Sequence, residues 1–111
     1  EREFANYCKT KGFDVRRTAQ YNGKELESLA DCVGIPGIHI EVKRVEHLNI
    51  DNAIDQAIRD NKVKGDLPIV AHRKNSRPWL ITMTADDWFK LVYGIGEEEK
   101  EDVKPSKENE G

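Results

Sequence analysis

The sequence predicts a single α/β domain, a mixed β-sheet with helices on both faces, in the order helix, three strands, helix, two strands, helix. Three observations predict it. Ile50, Ala53, Ile54, Ala57 and Ile58 form an apolar stripe at helical spacing between two short apolar runs, 38–43 and 67–72, and a strand–helix–strand step within one sheet implies a parallel, right-handed crossover. Tight turns lie on the far side of each run, at Gly34-Ile35-Pro36-Gly37 and at Asn75-Ser76, so the outer strands return antiparallel. The length of 111 residues allows one modest core and no second domain.

Each element has its own signal. In residues 1–11, Phe4 and Cys8 stand four apart with Ala5 and Tyr7 nearby, one face of a helix that Gly12 ends. Because Glu1-Arg2-Glu3-Phe4 already reads as the inside of a helix, the natural chain is expected to extend upstream. Residues 13–17, FDVRR, read as a short strand, and 18–28, polar with Asn22-Gly23, as a mobile loop. Residues 29–33 and 38–43 are strands. Asn49 is an N-cap with Asp51 in the first turn, where the helix dipole favours an acid. The runs 67–72 and 79–83 are expected to be strands buried on both faces. Thr84 then caps a final helix whose buried stripe is Trp88, Leu91 and Val92, closed by Gly94. The domain is thus placed at 1–93, and 94–111 is read as a disordered acidic tail, since its last fifteen residues hold one large apolar residue, Val103, too little to offset the entropy of ordering them.

Charge and composition exclude several classes. No apolar run approaches the roughly 20 residues of a membrane helix, and the chain opens without a signal-peptide pattern. Cys8 and Cys32 make neither a disulfide framework nor a paired metal motif, and are expected to be reduced, buried thiols of an intracellular protein. His39, His47 and His72 lack zinc-ligand spacing; His39 and His72 read as sheet-surface residues. The net charge is −3, but the stretch from Gly94 holds seven acids and three lysines, leaving about +1 for residues 1–93. Attraction to nucleic acid must therefore come from local clustering of cations. Arg16, Arg17, Lys43, Arg44, Arg73, Lys74 and Arg77 are the candidates to line a phosphate-binding groove, against a solvated charged surface as the ordinary alternative.

The strand 38–43, IHIEVK, carries the chemistry. Side chains alternate along a strand, so Ile38, Ile40 and Val42 face the core while His39, Glu41 and Lys43 face the other way, with Glu41 and Lys43 about 7 Å apart. Pairing Asp31 opposite Glu41 keeps Asp31 off the apolar face, puts Ala30 and Cys32 beside Ile40 and Val42, and leaves Ile35-Pro36-Gly37 as a three-residue loop with Gly37 in the left-handed position. Asp31 and Glu41 then stand roughly 5 Å apart. Like charges that close persist if one is protonated or if a cation lies between them. Oxygen ligands on a short hairpin suit Mg²⁺, with Mn²⁺ as a substitute, and a lysine beside them offsets charge in a phosphodiester transition state. The ordinary alternative is a surface Glu41–Lys43 salt bridge with Asp31 a strand-end acid.

Asp31, nine residues, then Glu41-Val42-Lys43 resembles the D–ExK signature of the PD-(D/E)xK nucleases. The resemblance covers most of residues 1–93. Glu1-Arg2-Glu3-Phe4, Gly12-Phe13 and Val15-Arg16-Arg17 are similar to the opening of the archaeal Holliday junction resolvases, and GIPGIHIEVKRVEHLNI to phage-encoded domains of the same kind. The resemblance implies a restriction-endonuclease-like fold and a Mg²⁺-dependent DNA endonuclease of DNA recombination acting on branched DNA; a symmetric cut of a four-way junction on two strands then predicts a homodimer. The catalytic set it implies is Asp31, Glu41 and Lys43 with Glu1 as a further acid; the metal set is Asp31, Glu41 and Val42; Arg2 adjoins the site and Arg17 contacts phosphate. Glu1 stays open between that role and a solvated terminus. Gln56, at the edge of the second helix's apolar face, is either an accessory to the site or a boundary residue. Glu25 and Glu27, in the loop before Asp31, depart from the family's basic or small-residue pattern and leave the preferred DNA structure open. The alternatives are a flap, end or duplex nuclease of the same fold, and a non-catalytic DNA-binding module. The homodimer interface is expected on the apolar outer surface near Trp79, Trp88 and Tyr93.

Overall fold

The structure is a computed structural model that describes residues 1–18 and 30–96. The chain runs through α1 (Arg2–Thr10), β1 (Arg16–Arg17), β2 (Cys32–Val33), β3 (Ile38–Arg44), α2 (Ile50–Asp60), β4 (Leu67–Arg73), β5 (Leu80–Thr82) and α3 (Ala85–Tyr93). The five strands form one sheet in sequence order. β3 and β4 pair in parallel from Ile38↔Leu67 to Arg44↔Arg73, and the other pairs are antiparallel. The expected crossover and mixed sheet are therefore present. Most of the loop expected at 18–28 and the tail at 97–111 lie outside the described residues.

The two faces of the sheet carry different cores. On one, Phe4, Ala5 and Cys8 of α1 pack with Val15, Cys32, Ile40, Val42, Ile69 and Ala71. On the other, Ala53 and Ala57 of α2 pack on Val70, with Leu48, Ile50 and Ile54 at the margin. Alanines at the contact let α2 lie close to the sheet. Ile58, expected in the same stripe, is exposed instead. The N-cap of α2 is as expected: the Asn49 side chain accepts the Asn52 N–H.

Two glycines set the approach to the site. Gly37 has φ +82° in the β2–β3 turn, as the loop assignment requires. Gly34 has φ +131°, and a Cβ there would stand 2.5 Å from the Asp14 carbonyl oxygen and 2.7 Å from Val15 Cα. Only glycine lets β2 pass the segment before β1 this closely.

Several expectations need correction. β1 is two residues long, and Phe13 is exposed rather than part of a strand. β5 is not buried on both faces: Leu80 and Ile81, consecutive residues that point to opposite faces, are 54% and 51% exposed. α3 forms where expected, with Thr84 accepting from Asp87 N–H and Gly94 at φ +72°. Yet its stripe is not buried; Trp88, Leu91 and Val92 are 44%, 53% and 48% exposed. The helical period is as expected, but the described residues leave that face about half exposed.

Candidate active site

β3 delivers the site by simple alternation. Ile40 and Val42 enter the α1-side core, which sends His39, Glu41 and Lys43 to the α2 face. The surface salt bridge considered for Glu41 and Lys43 is absent. Glu41 is fully buried, and Lys43 Nζ donates to Gln56 Oε1 of α2 at 2.9 Å. Gln56 Nε2 faces Glu41 Oε1 at a long 3.5 Å, so Gln56 joins the lysine to the acid. His39, expected on the sheet surface, is 1% exposed, with Nε2 2.9 Å from Glu41 Oε2. The sequence reading missed its role because alternation gives a side chain's direction but not what lies over it.

Asp31 arrives from the neighbouring segment. The ladder pairs Cys32 with Ile40, the register expected from the apolar pattern, and stops there. Asp31 itself donates its N–H to the Ile40 carbonyl (2.8 Å), and its own carbonyl accepts from Thr18 (2.9 Å). Its carboxylate Oδ2 accepts the Val42 N–H at 2.8 Å. The acid is thus pinned against the middle of the ExK strand rather than standing free at a strand end. Burial pushes its pKa from 3.8 up to about 6; the Val42 bond lowers it, while the charges of Glu41 and Glu1 and a side-chain hydrogen bond with Glu41 raise it further. The structure therefore brings both Glu41 and Glu1 within electrostatic reach of Asp31.

Glu1 Oε1 accepts from Arg17 Nε at 3.3 Å, bringing two of the expected site residues together. Glu1, Arg2, Arg17, Val42 and Arg44 line an open groove of about 450 Å³. The other expected phosphate contacts are partly engaged within the chain. Arg44 Nε donates to Glu3 at 2.9 Å, and Arg73 lies 3.7 Å from the same carboxylate. Arg16 bonds the Asp14 carbonyl and stays exposed. Arg73, Lys74 and Arg77 also border a second cleft of about 300 Å³, floored by Val45, Leu48, Pro78 and Leu80 and reaching His72. Since His72 is the register partner of Lys43, this cleft begins beside the candidate lysine, at the carboxyl ends of the parallel strands, where ligand sites of such sheets gather.

Among the described residues, no group of three or more His, Cys, Asp and Glu side chains is arranged to hold a metal ion. The expected set is smaller in side chains: two carboxylates and the main chain of Val42.

Neither a protein-family profile nor a curated protein matches the sequence. Among solved structures, the chain is similar to Hjc of Archaeoglobus fulgidus, a Holliday junction resolvase from an archaeal hyperthermophile, with a TM-score of 0.54 and 21% identity over 74% of this chain and 72% of that one. At that identity the likeness shows the fold. The mixed-sheet, restriction-endonuclease-like architecture expected from the D–ExK pattern is the one the chain adopts.

Proposed function

We propose that this chain is a divalent-metal-dependent endonuclease that hydrolyses phosphodiester bonds in branched DNA, four-way junctions above all. The observation that carries the reading is the convergence of Asp31, Glu41 and Lys43, from a bend and a strand, in a fold shared with a junction resolvase. A surface assembly of charges would not bury Glu41 completely or press a second carboxylate against it.

The residues fit a hard divalent cation. Asp31 is held with an elevated pKa beside two further acids, and a cation between carboxylates relieves that repulsion. Asp31 and Glu41 would hold Mg²⁺ or Mn²⁺ together with Val42, with Glu1 as a further acid, and the bound ion supplies a lowered water pKa and charge neutralisation at phosphate. Lys43, its Nζ fixed by Gln56, positions the attacking water and offsets charge in the transition state. Arg2, Arg16, Arg17, Arg44, Arg73 and Lys74 engage the DNA backbone, which requires Arg44 and Arg73 to exchange Glu3 for phosphate. Such contacts fix position and affinity rather than sequence. The intracellular setting follows from a DNA substrate.

A symmetric cut across a junction calls for two sites related by a two-fold axis. The exposed apolar residues of β5 and α3, Leu80, Ile81, Trp88, Leu91, Val92 and Tyr93, support an interface there, of the kind that contiguous apolar surface marks. Trp79, expected in that interface, packs on Phe4 instead, ring centroids 5.0 Å apart.

The test is cleavage of labelled four-way junction, linear duplex and single-stranded DNA, with and without Mg²⁺, by the wild type and by Asp31→Asn, Glu41→Gln and Lys43→Ala. Junction cleavage that needs the metal and all three residues is expected. Near-normal cleavage by any folded variant removes the assignment, cleavage of duplex with junctions spared makes the chain a duplex nuclease, and binding without cleavage makes it a DNA-binding module.

A further inference from the structure

His39 has no part in the chemistry so far, yet it is among the most deeply buried polar side chains described. It and Glu41 are 1% and 0% exposed, and the 2.9 Å contact between His39 Nε2 and Glu41 Oε2 joins them. Burying either group alone would be costly. His39 is also confined: its register neighbour on β4 is the buried Pro68, and α2 packs over this face of the sheet.

The surrounding hydrogen bonds have a definite direction. A lysine ammonium only donates, so Gln56 Oε1 is the acceptor for Lys43, and the amide nitrogen is left to face Glu41 Oε1. Glu41 is an acceptor on that side. A carboxylate accepts at both oxygens, which makes His39 Nε2 the proton-bearing nitrogen at Oε2. Donors thus reach Glu41 from two sides on the α2 face, while Asp31 interacts with it from the bend before β2.

We propose that His39 is the positioning residue for Glu41: its Nε2–H holds Oε2 and locks the carboxylate in the orientation that meets Asp31, which sets how tightly the pair takes a divalent cation. The inference rests on the metal-dependent nuclease reading. Partners of this kind fix ligand orientation, and their loss commonly weakens metal binding by about 10–100-fold.

The experiment measures Ca²⁺ binding by calorimetry, without cleavage, for the wild type, His39→Phe, which fills the space without a donor, and His39→Gln, which keeps one. Melting temperatures and the side-chain ¹⁵N spectrum of His39 accompany it, with junction cleavage in Mg²⁺ as a separate readout. The expected result is a protonated Nε2 in the wild type, a Ca²⁺ Kd raised about tenfold or more in His39→Phe, and most of that loss recovered in His39→Gln. In cleavage, kcat falls while KM for the junction stays unchanged. His39→Leu replaces the phenylalanine variant if that one does not fold. A folded donor-free variant that binds Ca²⁺ as the wild type does overturns the proposal, as does a glutamine variant no better than the donor-free one. A wild type that binds no Ca²⁺ overturns the nuclease reading and this proposal with it, which is a different result from equal binding by both.

Discussion

Asp31 is where the fold works against itself. Its carboxyl is partly buried, near Glu41 and Glu1, and titrates near 6 instead of 3.8. A carboxyl whose folded pKa is raised contributes stability below its unfolded pKa and loses it as the pH rises through the folded value. Metal-free protein should therefore lose stability between about pH 4 and pH 6 on this residue's account. Asp31→Asn, which keeps an oxygen for the Val42 N–H, is expected to melt higher than the wild type at pH 8 in chelator, with the difference gone near pH 3.5; an equal difference at both pH values would refute the account. Glu1 belongs at this scale too. If it shares the cation, Glu1→Gln lowers cleavage by about tenfold, is partly rescued by high Mn²⁺, and retains junction binding. Unchanged cleavage across a metal titration leaves Glu1 as the partner of Arg17 alone.

At the scale of elements, the site depends on how closely β2 passes the segment before β1. Gly34→Ala puts a methyl within 2.5 Å of the Asp14 carbonyl oxygen at a positive φ. That should displace β2, and Asp31 with it, lowering both melting temperature and cleavage. A variant as stable and active as the wild type would show that the approach is not needed. The outer strand and last helix make the opposite demand. β5 and α3 expose apolar side chains that the other described residues do not cover. Leu91→Glu, on a face with no catalytic residue, should turn a dimer measured by light scattering into a monomer while leaving the melting of the fold itself intact. A wild type that is monomeric, free and on DNA, would remove the dimer and favour the flap, end or duplex nuclease alternative.

For the whole molecule, the charge distribution matters more than its total. Residues 1–93 are close to neutral, and the acidic residues past Gly96 add repulsion toward phosphate. Truncation after Gly96 is expected to leave the melting temperature unchanged and to strengthen DNA binding slightly at low salt, an effect that added salt screens away. A large loss of stability on truncation would show that the segment packs on the domain. The sequence by itself determined much of this protein. The Ile50–Ile58 spacing between two apolar runs fixed the crossover, because a parallel strand pair needs a helix between its members. The alternation in IHIEVK fixed the register with Cys32 opposite Ile40, because a one-residue slip would bury every polar side chain of the strand among apolar ones. Both are local consequences of period and polarity, readable from neighbours along the chain. Tertiary structure alone decided what covers each face. It buried His39 and Glu41 under α2, brought Gln56 between Glu41 and Lys43, turned Asp31 onto Val42, forbade a Cβ at Gly34, and left the apolar side chains of α3 partly exposed among the described residues. Burial and hydrogen bonding depend on which distant segments arrive at the same place, and no periodicity within a strand or helix encodes that meeting.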